Sequence, residues 1–205
     1  MALRVLMLGW EFPPEISGGL GVATQQIAHY LKDEVDLTLA LPFTLNSESS
    51  DYIFDDLVAQ SPSVDTKSFV SRLETFRIED TISPYESEYA ERESLLVDTN
   101  EELGRKSNYT HKIPSEIEKF SISVFERFQS TDYDVIYAHD WMTFSAAIKL
   151  SKKIKAKVVF HVHSLSWDRE GSVSNSLSSM IEQKYLSLAD KVICVSKYAA
   201  LNCVQ

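Results

Sequence analysis

An α/β fold with a doubly wound, mostly parallel, Rossmann-like sheet is predicted by three observations. Short, largely aliphatic runs recur at residues 3–8, 35–42, 133–139, 157–163 and 190–196, as expected of strands buried on both faces. Segments with helical spacing of apolar residues stand between them. The connections bounding the first pair are short, which implies a parallel βαβ unit with a right-handed crossover.

The first strand, residues 3–8, runs into Pro13 and Pro14, which donate no backbone hydrogen bond and take the chain out of the sheet. Gly18, Gly19 and Gly21 follow, and then a helix over residues 22–31, with Leu20, Ala23, Ile27, Ala28 and Leu31 on one face. A glycine-rich turn at a helix start exposes free N–H groups at the positive end of the helix dipole, so a phosphate-bearing ligand suits it. A purely structural turn is equally compatible: Gly-Gly-Leu-Gly is neither G-x-G-x-x-G nor a P-loop.

Residues 35–42 form the second strand. The composition then turns to Ser, Glu and Asp clusters, and residues 43–112 are expected to be a polar insertion holding one strand near residues 75–78 and one or two helices. Its acids are expected to form a solvated face. An amphipathic helix over residues 115–128 carries Ile117, Phe120, Val124 and Phe128 on one stripe. Strand 133–139, helix 142–152, strand 157–163, helix 176–188 and strand 190–196 complete the series.

A chain of 205 residues suffices for one such domain spanning 1–205. A formal net charge of −10 speaks against general affinity for nucleic acid or an anionic membrane. Cys194 and Cys203 lack C-x-x-C spacing and fit a reducing compartment. The sequence opens without a secretory leader and contains no apolar run long enough to span a bilayer, so a cytoplasmic location is expected.

Parallel α/β sheets bind ligands beyond the carboxyl ends of their strands. The tips here are unusually polar: residues 9–21, His139-Asp140-Trp141, His163-Ser164 and Ser196-Lys197 are all brought to one edge by the predicted topology. Asp140 suits sugar hydroxyls as an acceptor or the following helix as an N-cap. Trp141 offers either an aromatic face for a pyranose ring or a core side chain. Glu11 can bind hydroxyls or orient a loop. His163 is the better ligand-contacting histidine, whereas His161 reads as a core residue, and His29 and His111 as structural or solvent-facing. His161 and His163 are read as pointing to opposite faces of their strand; with no other ligand set completing a zinc site, no metal is expected. The absence of G-x-S-x-G and of suitably spaced carboxylate pairs argues against a hydrolase or glycosidase.

The ordered set Leu8-Gly-Trp-Glu-Phe-Pro-Pro14 with Gly18-Gly-Leu-Gly21, His139-Asp-Trp141, His161-Val-His-Ser-Leu165 and Ala189-Asp-Lys-Val-Ile-Cys-Val-Ser196 resembles the N-terminal domain of GT-B-fold retaining glycosyltransferases of the glycogen and starch synthase type. The resemblance spans residues 3–41 and 133–200. It implies a two-domain enzyme that passes a glucosyl or similar sugar from a nucleotide-sugar of the ADP- or UDP-glucose type to a carbohydrate hydroxyl, without metal or other cofactor. It further implies that Gly18, Gly19, Leu20, Gly21 and Ser164 face the donor's phosphates and sugar, that His163 acts catalytically at the transferred sugar, and that Glu11, Asp140 and Trp141 line the acceptor side. The C-terminal donor-binding domain is expected to lie outside these 205 residues, leaving the isolated chain inactive. Two departures bear on glycogen synthesis specifically: Ile16 stands where such synthases carry Lys, and Val22 where they carry an acid.

A free-standing, non-catalytic nucleotide- or sugar-binding module is the alternative; a covered polar rim would favour it, an exposed apolar face at the rim the enzyme half. A Rossmann oxidoreductase is disfavoured, because Leu41-Pro42-Phe43 stands where a ribose-binding acid belongs.

Overall fold

The computed structural model describes residues 2–13, 18–42, 73–75, 112–170 and 176–203. Six strands, β1 (Arg4–Leu8), β2 (Asp36–Leu41), β3 (Leu73–Thr75), β4 (Val135–His139), β5 (Lys157–Val162) and β6 (Lys191–Cys194), form one sheet in the order β3-β2-β1-β4-β5-β6. Every pairing is parallel. The helices are α1 (Gly19–Leu31), α2 (Lys112–Phe128), α3 (Trp141–Ile154), α4 (Ser166–Glu170), α5 (Leu177–Tyr185) and α6 (Lys197–Asn202), with a 3₁₀ turn at Leu186–Leu188. The doubly wound parallel sheet expected from the aliphatic runs is present, and its strand order reverses between β1 and β4.

Strand alternation sorts the core onto two faces. Leu6 and Leu8 of β1, Ile136 and Ala138 of β4, and Val158, Phe160 and Val162 of β5 join α2 and α3 in the larger core, which includes the stacked pair Phe144–Phe160 at 3.9 Å. Trp10 packs edge-on against Phe120 there, at 5.7 Å. Val5 and Met7 face the other way, with Leu37, Leu39 and Leu41 of β2, Phe12, and Ala28 of α1.

Several elements differ from their expected bounds. Helix α1 starts at Gly19, so Gly19, Leu20 and Gly21 form its first turn, with Gly18 extended at the N-cap (φ −164°, ψ −163°). Helix α2 starts before Pro114, since the first helical turn has no intrahelical use for the missing N–H. The segment expected as one helix over 176–188 is α5 followed by the tighter 3₁₀ turn. Short helices α4 and α6 add to the expected elements, having too few residues to show a period. Of the insertion, β3 is described, overlapping the expected strand at residue 75; the expected helices and acidic face, like Ile16 and His111, lie outside the described residues.

Gly9 sits at a close approach. A Cβ placed there would lie 3.0 Å from both Leu41 Cδ2 and Thr24 Cγ2, where α1 crosses the end of β2. Replacing Gly9 with Val is therefore expected to lower unfolding free energy by about 1–3 kcal/mol through overpacking, measured by urea denaturation.

Candidate active site

The reversal of strand order between β1 and β4 opens a crevice at the carboxyl edge, the usual ligand position in such sheets. Residues following β1 lie on one side and residues following β4 and β5 on the other. The register pairs Leu8 with Ala138 and His139 with His161, so Glu11, Asp140 and His163 all emerge at that edge.

On the β1 side, α1 presents an unblocked start. Gly18 supplies no side-chain cap, the first turn carries no acid, and Gly18 and Gly19 are exposed, with no atom of the described residues within 4 Å of the point where a Cβ would stand on either. Backbone N–H groups and the helix dipole are thus accessible to an anion. Gly21 and Leu20 are buried in the helix, so Leu20 offers only its backbone. Glu11 is 4% exposed and held by interactions within the protein.

On the β4 side, Asp140 has φ 56° and ψ 168°, a conformation that costs a non-glycine residue on the order of 1–3 kcal/mol. Hydrogen bonds impose it. Asp140 N donates to His161 O at 3.0 Å, and Asp140 Oδ1 accepts from His163 N at 2.7 Å. The carboxylate is 1% exposed. It occupies the N-cap position of α3 but makes no side-chain cap; the Thr143 hydroxyl instead donates to the His139 and Asp140 carbonyls, 2.9 Å each. Trp141 is 3% exposed and packs in the larger core, so it has no free aromatic face for a sugar, correcting that expectation. As the first residue of α3 it is turned inward with the helix's apolar stripe.

The opposite-face reading of His161 and His163 is also corrected. Residues two apart on a strand share a face, and His163, one residue past β5, keeps that parity. Their rings lie 4.4 Å apart. Tyr137 and His139 on β4 have the same parity, which brings four rings together: His139 Nδ1 and His163 Nε2 are 3.0 Å apart, and Tyr137 Oη and His161 Nδ1 are 2.5 Å apart. One ring nitrogen from each of His139, His161 and His163 lies within 4.8 Å of the other two. His139 is wholly buried, and its Nε2 has no hydrogen-bond partner.

Burial shapes the electrostatics of this cluster. It holds the His139 pKa well below the ordinary histidine value, with His163 and His161 adding repulsion. Burial, then His161, brings His163 down to about 4, and burial lowers His161. All three are neutral imidazoles at pH 7. Burial also lifts the Tyr137 hydroxyl to about 12.

The His163-Ser164 turn is fixed from below. Arg169 Nη1 donates to Ser164 O at 3.0 Å and Ser164 Oγ at 2.8 Å, while the Arg169 guanidinium stands 3.8 Å from Glu182 of α5. Glu182 in turn accepts from Ser166 N and, at 2.6 Å, from the Ser166 hydroxyl. Asn202 of α6 donates to Asp168 at 2.6 Å. His139 belongs to the polar tip of β4 yet carries no role in the sequence reading; parity groups only His161 with His163, and the β4–β5 register adds His139. Arg169, Glu182 and Asn202 have no sequence signal, since their partnerships are set by packing.

A parallel 3-2-1-4-5-6 sheet with a polar rim around its switch point defines a Rossmann-like α/β domain. The sequence matches the family described as Starch synthase catalytic domain over residues 4–203, and the chain belongs to that glycosyltransferase family. Among solved structures, that of Arabidopsis thaliana UGT89C1 complexed with UDP superposes with a TM-score of 0.51 at 10% identity, covering 98% of this chain and 46% of that one. This chain thus spans under half the length of that neighbour, and the likeness is one of fold. A Vibrio parahaemolyticus protein of unknown function gives a TM-score of 0.36 at 7% identity, covering 96% of this chain and 94% of that one. No curated protein sequence matches.

The lowered histidine values set a pH dependence. The folded pKa of His163 lies below its ordinary 6.5, so between pH 6.5 and about 4 the unfolded chain binds more protons than the folded one. Its contribution to stability is complete above that window and is lost as pH falls through it. Urea midpoints are expected to rise with pH across the window, and His163→Gln to flatten the slope.

Proposed function

We propose that the chain is the acceptor-side half of a retaining glycosyltransferase that moves a sugar, glucosyl first among candidates, from a nucleotide-sugar to a carbohydrate hydroxyl. The observation that carries this reading is the pairing, across one switch point, of the open α1 start at Gly18-Gly19 with the clamped His163. Backbone amides of Gly18, Gly19, Leu20 and Gly21, with Ser164, meet the donor's phosphate and sugar side. They stabilise charge developing on the departing diphosphate without needing reorganisation. His163 contacts the transferred sugar, its orientation set by Asp140 and His139. Glu11 and Asp140, buried and engaged within the protein, shape the acceptor side from beneath it, and Trp141 supports them from the core. The transfer step draws on no cofactor.

An apolar patch supports an enzyme half over a free-standing binding module. Ile193, Val195, Tyr198 and Leu201 are 40–64% exposed on β6, on α6 and between them. Exposed apolar side chains of this kind suit a second domain closing over the rim. The UDP in the neighbour of similar fold is consistent with a nucleotide-sugar donor.

Amide NMR of the isolated chain titrated with UDP or ADP tests the donor side: shifts are expected at Gly18, Gly19 and Leu20 and are expected to vanish in Gly19→Asp, which sets a carboxylate against the anion. Shifts confined elsewhere would overturn the assignment. Incubation with UDP- or ADP-glucose and an oligosaccharide is expected to yield no transfer product; turnover by this chain alone would refute the half-enzyme reading.

A further inference from the structure

We infer that His139, His161 and His163 form a binding site for one late first-row divalent cation of the zinc class. Two separate observations converge on it. Strand parity and register place the three rings together on one face at the end of β4 and β5, each with a nitrogen within 4.8 Å of the others. The second observation is Tyr137, whose hydroxyl engages His161 Nδ1 and leaves that ring's other nitrogen for a ligand, an outer-shell hydrogen bond that fixes the orientation of the ring.

The chemistry selects the ion. Neutral imidazoles are borderline-soft donors that favour Zn²⁺, Co²⁺, Ni²⁺ or Cu²⁺ over Mg²⁺ or Ca²⁺. Tetrahedral coordination with Zn–N bonds of about 2.0–2.1 Å spaces ligand nitrogens by roughly 3.3 Å. His139 Nδ1 and His163 Nε2 stand 3.0 Å apart across a hydrogen bond, and both rings turn on loading to point their lone pairs at the ion. The cation replaces the proton they share, which moves to the other nitrogen of its own ring, so no net proton is released. His161 then donates its Nδ1–H to Tyr137 Oη and ligates through Nε2. His163 is the partly exposed member, so the fourth position is reached from its side and is filled by water. A loaded site occupies the His163 ring that the glycosyl-transfer reading sets against the sugar, making the cation an antagonist of transfer on that reading; the site itself does not depend on it.

The test uses the metal alone and no sugar, so its failure leaves the transfer proposal untouched. The EDTA-treated chain is titrated with Co²⁺ and followed by visible d–d absorption, then with Zn²⁺ by calorimetry. One equivalent is expected to bind with the intense bands of tetrahedral cobalt. His161→Gln is expected to weaken binding at least about 100-fold, and Tyr137→Phe about 10-fold, with far-UV circular dichroism unchanged. His29→Gln and the double variant Cys194→Ser with Cys203→Ser are expected to bind as the parent does. Absence of a one-equivalent transition, retention of binding in His161→Gln, or a thiolate-to-cobalt band lost in the cysteine variant would each overturn the inference.

Discussion

The clamp on Asp140 is the constraint from which the rim follows. Its backbone N–H extends the β4–β5 ladder one step past the strands, and its carboxylate takes the N–H of His163. Left to itself, a non-glycine residue at φ 56° and ψ 168° relaxes toward ordinary extended or helical backbone. Two hydrogen bonds within a buried setting hold it there. The consequence is that the chain turns sharply from β4 into α3 while His163 is drawn back over β4, where its ring meets those of His139 and His161. A strained residue at a switch point, paired with a buried histidine cluster, is the kind of local cost that a scaffold sustains where geometry matters for chemistry.

The scaffold supplying that support is lopsided. One face of β4 and β5 is packed by α2 and α3 with large aliphatic and aromatic side chains, including the closely stacked Phe144 and Phe160. The opposite face carries Tyr137, His139 and His161 toward the carboxyl end. The dry core therefore makes the strands rigid, and the polar residues occupy the other side of the same rigid strands. Sites at strand ends are held more accurately than sites on loops, because the ladder limits how far each Cα can move. Arg169, Glu182 and Asn202 extend that rigidity to the turn after β5 through charge-assisted bonds.

Much of the architecture was legible in the residues. The runs of Leu, Val and Ile at β1, β2, β4 and β5, and the stripe Ile117, Phe120, Val124 and Phe128, specify their elements because a buried strand and an amphipathic helix need different periods. The rim was legible too, since parallel topology forces all carboxyl ends to one side. Burial at the rim was less accessible: Trp141 reads equally well as a sugar platform or as a core residue, and only the packing of α3 shows that it lies 3% exposed. The histidine cluster was readable in part, for parity already puts His161 and His163 together, while adding His139 needs the β4–β5 register.

From the sequence alone came the parallel α/β class, the positions of the main strands along the chain, the glycine-rich helix start and the polar strand tips, all properties carried by hydrophobic period and backbone chemistry over a few neighbouring residues. Tertiary structure alone decided that Asp140 ties down His163 instead of capping α3, that Trp141 turns inward, and that Glu182 and Arg169 brace a turn far along the chain from Glu182. Those outcomes depend on which donor reaches which acceptor first in a close-packed interior, a competition among residues distant in the chain that no local pattern encodes.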